Sequence, residues 1–209
     1  MVHASPSHEG PNNLLNNPIV DVETMAHQFE AGNKEMLKGQ HRHEVQPAED
    51  IVERASPHQG EICADLGAGT GYISIPLSLE VKAVIALDSQ REMLDSLKAS
   101  IGPAHAGQIW PLIGELPELP FADRSLDRVF IVNVLHEFED RAYLVNEIKR
   151  VLKEGGKVSL VDFQKKQTSF GPPIDERIDI NDIEAIFSGF TAMESWSFEE
   201  FYQFELMRN

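Results

Sequence analysis

The sequence of 209 residues predicts an α/β fold: a doubly wound, mostly parallel seven-stranded sheet that finishes in an antiparallel hairpin. Three observations predict it. Short apolar runs alternate with helical segments from residue 62 onward, a glycine-rich turn follows the first of those runs, and two strand-like runs near the end are separated by only Glu199-Glu200. Alternation of this kind implies βαβ units with helices on both faces. A link as short as the last one permits only an antiparallel pair.

Taken in order, residues 1–20 carry Pro6, Pro11, Pro18 and four asparagines with little apolar pattern, the composition of a flexible tail. Val22, Met25, Phe29, Met36 and Leu37 have partly helical spacing interrupted at Gly32, so residues 21–45 are expected to form a helical cover or lid. Pro47 suits the first turn of a second helix bearing Ile51, Val52 and Ala55. The main domain is expected over 46–209. Its strands are predicted at 62–66, 83–87, 109–113, 128–134 and 157–163, with helices at 72–79, 91–101 and 141–152. A further helix is expected over 179–187, then strands at 190–198 and 201–207.

Composition narrows the function. Asp plus Glu outnumber Lys plus Arg by 34 to 18, a formal charge of −16, whereas nucleic-acid binding draws its affinity from cations set against phosphates. No apolar run reaches the roughly 18–20 residues that span a bilayer. The start MVHASPSHEG shows no basic, apolar leader, and the lone Cys63, among apolar neighbours, reads as a buried thiol. The expected compartment is the cytoplasm.

The chemistry concentrates around Asp65-Leu66-Gly67-Ala68-Gly69-Thr70-Gly71. Glycines at a strand end let the chain turn sharply and let a ligand approach where a Cβ would collide. Asp88 ends the next strand, 21 residues beyond Gly67, about the spacing at which a carboxylate grips a ribose diol; it also fits a helix N-cap. Two cofactor classes share these features. The spacing here is GxGxG, whereas nicotinamide dinucleotides use GxGxxG with a helix N-terminus aimed at pyrophosphate. Asp65 places negative charge at the turn, which repels pyrophosphate and suits a cationic ammonium or sulfonium.

DLGAGTG (65–71) resembles the first motif of class I S-adenosylmethionine-dependent methyltransferases, and ALDSQREML (86–94) their second. GELPELPF (114–121) and RSLDRV (124–129) resemble the third and fourth, and LKEGGK (152–157) the turn before strand five. The likeness runs in order from about 46 to 209 and is similar in flavour to the ubiquinone and menaquinone methyltransferases. It implies a Rossmann-like fold and S-adenosylmethionine as cofactor, with S-adenosylhomocysteine as product. It assigns Asp65, Gly67 and Gly69 to the methionine end of the cofactor and Asp88 to the ribose hydroxyls, with Ala68 and Ser89 beside them among the cofactor-binding residues. Met93 goes to the adenine face, Glu115 and Leu116 to the adenine pocket, and Asn133 to the methionine moiety. Glu115 stands where the family usually has Asp.

Other residues are weighed on their own. His136-Glu137 follows strand four, so His136 is the candidate catalytic residue, as general base or substrate contact; a structural histidine bonded to a loop carbonyl is the other reading. Glu137 and Asp162 are the alternative bases. His41-Arg42-His43-Glu44 lacks metal-ligand spacing and reads as solvated loop, and no metal is expected. Gly171-Pro172-Pro173 could wall a substrate pocket. Trp110, Trp196 and the phenylalanines read as core. No Asn/Asp-Pro-Pro-Tyr/Phe follows strand four, as amino-methylating nucleic-acid enzymes of this fold carry, and a single cysteine cannot serve arsenite methylation. The expectation is methyl transfer by in-line displacement to a small-molecule acceptor. The rivals are an S-adenosylmethionine-binding scaffold or regulatory protein without catalysis and, more weakly, a nicotinamide-dependent oxidoreductase.

Overall fold

Seven strands, hydrogen-bonded edge to edge, position everything else. The computed structural model describes residues 40–209; the tail expected at 1–20 and all but the last six residues of the cover expected at 21–45 lie outside the described residues. The strands are β1 (Ile62–Leu66), β2 (Ala83–Asp88), β3 (Ile109–Ile113), β4 (Leu126–Val132), β5 (Leu152–Phe163), β6 (Phe190–Ser197) and β7 (Phe201–Arg208). Their order is β3-β2-β1-β4-β5-β7-β6. Pairing is parallel from β3 through β5 and antiparallel for β7 against both β5 and β6. The hairpin is as expected, and its second strand is the one that joins the parallel sheet.

Alternate side chains of each strand feed opposite layers. On one face Ala64, Leu66, Val129, Ile131, Val158 and Leu160 meet Leu144, Val145, Ile148 and Val151 of α5 (Arg141–Val151). On the other, Cys63, Val84, Phe130 and Val161 pack against Ile51, Val52 and Ala55 of α2 (Ala48–Ala55) and Leu77 of α3 (Ser74–Leu77). On that second face, Leu94 and Leu97 of α4 (Arg91–Ser100) cover Ala86 and Ile109. The sheet is doubly wound because its parallel strands are apolar on both sides.

Several boundaries move, each for a local reason. Residues 41–44, read as loop, belong to α1 (Gln40–Val45). The helix expected over 72–79 shrinks to α3, whose four residues include Pro76, a poor interior residue for a longer helix. Strand four stops at Val132 because Asn133 takes φ +57°. β5 begins at Leu152, which pairs with Leu126; the next pair is Arg128 with Lys157, so residues 153–156 bulge out through Gly155 at φ +70°. The helix expected at 179–187 is a 3-10 turn, Ile180–Asp182, followed by α6 (Ile183–Ile186). Trp110 is not core: it lies on edge strand β3 and is 39% exposed.

Cys63 is fully buried as expected, yet its surroundings are not wholly apolar. Its thiol points at the Glu61 carboxylate 3.8 Å away, and burial first, that acid second, push its pKa up. Glu61 also accepts from buried Arg128 Nε at 3.0 Å, while Arg128 Nη1 donates to Glu205 at 2.6 Å. This ion cluster pins β1, β4 and β7 to one another.

Candidate functional site

Open parallel sheets bind ligands at the carboxyl ends of their strands, where the strand order reverses. Here that point lies between β1 and β4, and a cavity of about 290 Å³ opens there. Asp65, residues 67–70 and Leu87 to Gln90 form its floor, residues 132–134 and 136–138 the far wall, and Phe163 with residues 170–173 and Glu176 the remaining side. Arg42 and Tyr72 border it from α1 and the end of the glycine turn.

The turn is shaped by contacts a side chain would obstruct. Gly67 has φ +69°, and a Cβ there would come within 2.5 Å of Val134 Cγ2. Ala68 N–H donates to Leu87 O and Gly69 N–H to Asp88 Oδ2, both near 2.8–2.9 Å, so the turn is tied to the end of β2. Asp88 Oδ1 accepts from Gln90 N–H at 2.8 Å. The N-cap of α4 is Gln90 itself, so Asp88 is not its cap. Burial lifts the Asp88 pKa, and the two backbone N–H groups temper the rise.

Asp65 lies at the end of β1, under the turn. It is 2% exposed and its carboxylate accepts from Ser74 Oγ at 2.6 Å. Burial drives its pKa from 3.8 to about 7, against the pull of Ser74, and Asp88 adds to the rise. The close side-chain partner of Asp65 is a neutral hydroxyl, so the burial of its charge is poorly compensated.

At the other end stands a histidine–aspartate pair. His136 Nδ1 lies 2.7 Å from Asp162 Oδ1, and His136 N–H donates to Asp162 Oδ2 at 3.2 Å. A carboxylate accepts, so Nδ1 carries the proton and Nε2 is left without a partner among the described residues. Burial pulls the imidazole pKa down, but the charge and hydrogen bond of Asp162, with Glu137 and Glu176 behind it, leave it above the ordinary value. Glu137, buried beside it, is raised to about 7 by desolvation. The walls here are apolar rings: Phe163 lies edge-on to Phe170 at 5.1 Å and to His136 at 6.1 Å.

The structure gathers most of the predicted residues around one cavity. Asp65, Gly67, Ala68, Gly69, Asp88, Ser89, Met93, Leu116, Asn133 and His136 all line it, as do Gly171, Pro172 and Pro173. Glu115 does not: its side chain is exposed, and its neighbours Gly114 and Leu116 face the cavity instead. Sequence reasoning named His136 and Asp162 separately, and missed that they pair across 26 residues. It also missed Arg42, Tyr72, Phe138 and Glu176; only Tyr72, beside the glycine turn, lay close enough to a motif to be found.

Residues 64–160 match a family described as Methyltransferase domain. Similar relatives extend the likeness. The demethylmenaquinone methyltransferase of Lactiplantibacillus plantarum is 29% identical over 168 residues, covering 78% of this chain and 69% of that one. An uncharacterized methyltransferase of Mycobacterium tuberculosis is 38% identical over 97 residues, 46% of this chain and 37% of that one. The chain spans about a third to a half of the length of the curated relatives it matches most strongly. Among solved structures, a SAM dependent methyltransferase from Aquifex aeolicus superposes with a TM-score of 0.78 at 21% identity, covering 86% of this chain and 99% of that one. The matched segment thus takes in most of β1, all of β2 to β4, the glycine turn, Asp88 and His136, while Asp162, β6 and β7 lie beyond residue 160.

Proposed function

We propose that the protein transfers the methyl group of S-adenosylmethionine to a small, largely apolar acceptor. The observation that carries this is the placement of two carboxylates, Asp65 and Asp88, on adjacent strand ends of the cavity that also holds the His136–Asp162 pair. The donor set fits the cofactor: Asp65 lacks a cation that an ammonium would supply, and Asp88 has acceptor capacity left for a diol. Ala68, Gly69, Ser89, Met93, Leu116 and Asn133 complete the cofactor side in this reading. The bound cofactor supplies a methyl group already activated on a sulfonium sulfur.

The chain's own work is then orientation and proton removal. Phe138, Phe163, Phe170 and the two prolines form an apolar wall that aligns the acceptor, and alignment of reacting groups can supply about 7–11 kcal/mol by analogy with intramolecular reactions. His136 Nε2 takes the proton of the acceptor's nucleophilic atom, and Asp162 holds the tautomer and stabilises the imidazolium. No helix among the described residues is long and apolar enough to cross a membrane; a cytoplasmic location and a covering role for residues 21–45 belong to this proposal. Calorimetric titration tests it. S-adenosylhomocysteine should bind at micromolar levels and NAD should not; failure of both S-adenosyl compounds to bind refutes the proposal, and binding without turnover on a metabolite panel favours the scaffold alternative.

A further inference from the structure

The histidine end of the cavity presents acceptors without matching donors. The His136 side chain is 8% exposed and its Nδ1–H is taken by Asp162, which leaves Nε2 facing the cavity as an acceptor. Glu137 and Glu176 line the same end, and neither carboxylate has a hydrogen-bond or ion-pair partner among the described residues. Both charges act on His136 and on each other, so the three groups share one space. Around them stand Phe138, Phe163, Phe170, Pro172 and Pro173, none with a side-chain donor. The nearby cations are engaged elsewhere. Arg42, the sole Arg or Lys among the described residues lining the cavity, stacks on Tyr72 beside the glycine turn, 3.8 Å from the ring centroid. Arg177 sits 5.3 Å from the Phe163 ring, outside the lining, and donates to the carbonyls of Gln164, Lys166 and Pro172.

Three acceptors in an apolar, aromatic surround call for a ligand that brings both donors and positive charge. A hydroxyl brings one donor, and its ionised form would be an anion set against two carboxylates. A primary ammonium brings three donors and the opposite charge, and aromatic rings at its side favour a cation as well. We propose that the methyl acceptor is an amine on an apolar body, bound as its ammonium between Glu137, Glu176 and His136 Nε2. This rests on the methyl-transfer reading above and makes the reaction an N-methylation. The ammonium passes one proton to Nε2. The freed lone pair then bonds the methyl carbon as the carbon–sulfur bond breaks, its electron pair staying on sulfur. The products are a methylated ammonium and S-adenosylhomocysteine, and the imidazolium returns its proton to water. Positive charge thus moves from sulfur to nitrogen, and acids placed around the nitrogen stabilise it where it develops.

Calorimetry on the full chain saturated with S-adenosylhomocysteine tests this with matched probes. These are 2-phenylethylamine against 2-phenylethanol and tryptamine against tryptophol, at pH 8, above the value of about 7 to which burial raises Glu137. At least one amine should bind about tenfold or more tightly than its alcohol, the worth of one charge-assisted hydrogen bond. Glu137→Gln should cut that preference about 5- to 10-fold, and Glu176→Gln, at a partly exposed position, about 2- to 3-fold. Alcohol affinity should stay within about twofold in both variants. With S-adenosylmethionine in place of the product, mass spectrometry should find the preferred amine methylated on nitrogen. If Glu137→Gln does not fold, Glu176→Gln carries the comparison. Amines that bind no better than their alcohols, or do not bind, overturn the proposal and leave the cofactor reading standing. Equal loss for amine and alcohol in the variants also overturns it, by assigning the two carboxylates to the architecture. Failure of S-adenosylhomocysteine itself to bind overturns the methyl-transfer reading and this proposal with it.

Discussion

Replacing Asp65 by Asn should make the ligand-free protein more stable at alkaline pH while it damages cofactor binding. A carboxylate whose folded-state pKa rises from 3.8 to about 7 holds its proton longer in the folded than in the unfolded chain. Stability relative to the unfolded state therefore declines as pH climbs from about 4 to 7 and stays lowered above that. At about 1.36 kcal/mol per pH unit, the burial of this charge costs the folded state about 4 kcal/mol at pH 8. Asparagine removes that cost but loses the charged acceptor of the 2.6 Å Ser74 hydrogen bond, about 1–2 kcal/mol. The net gain is about 2–3 kcal/mol at pH 8, about 5–10 °C in melting temperature for a chain of this size. Near pH 4.5, where the wild-type acid is mostly protonated, the gain should vanish or reverse. Urea denaturation followed by circular dichroism at both pH values measures this. A variant destabilised equally at both would refute the reasoning, because it would mean that Asp65 is not a poorly compensated charge. In the same samples, affinity for S-adenosylhomocysteine should fall at least about tenfold as the ammonium loses its anionic partner.

Other consequences are as specific. If His136 is the base, methyl transfer should rise with pH through an imidazole pKa lying above its ordinary value; Asp162→Asn should shift that rise to lower pH and lower the plateau, and unchanged turnover in His136→Gln on a known acceptor would remove the base from the mechanism. The same raised pKa means that the pair stabilises the fold below the ordinary imidazole range and loses this contribution as pH rises through the folded value, so Asp162→Asn should cost more stability at pH 5 than at pH 9. Gly71→Ala places a Cβ 2.3 Å from Leu97 Cδ1 at φ +91°, and about 2–4 kcal/mol should be lost in chemical denaturation; wild-type stability would contradict the packing of the turn against α4. Arg128→Met leaves Glu61 and Glu205 buried without their shared guanidinium and should cost about 3–5 kcal/mol at pH 8, less in acid, where Glu205, already pushed up by burial, takes up a proton; a urea midpoint that does not move would show that the cluster does not hold the strands together.

Much of the fold could be read locally because parallel strands buried on both faces are continuous apolar runs, and Ile62–Leu66 and Ala83–Asp88 are unmistakable on that ground. What local reading overestimates is regularity. Pro76 trims a helix, Asn133 ends a strand at positive φ, and residues 153–156 leave the β4–β5 register around Gly155.

The cofactor side of the cavity divides along the same line. DLGAGTG and Asp88 are a contiguous motif plus an acid one strand away, so chain connectivity alone brings them together, and the sequence by itself determined the turn, the acid and the sheet they sit on. Only the tertiary structure decided that His136 finds Asp162, that Glu115 faces solvent, and that Arg42 comes to lie over Tyr72 and unpaired beside Asp65. The reason is that these placements depend on where separate segments meet and on how much water each charge loses there. Spacing along the chain carries no record of either.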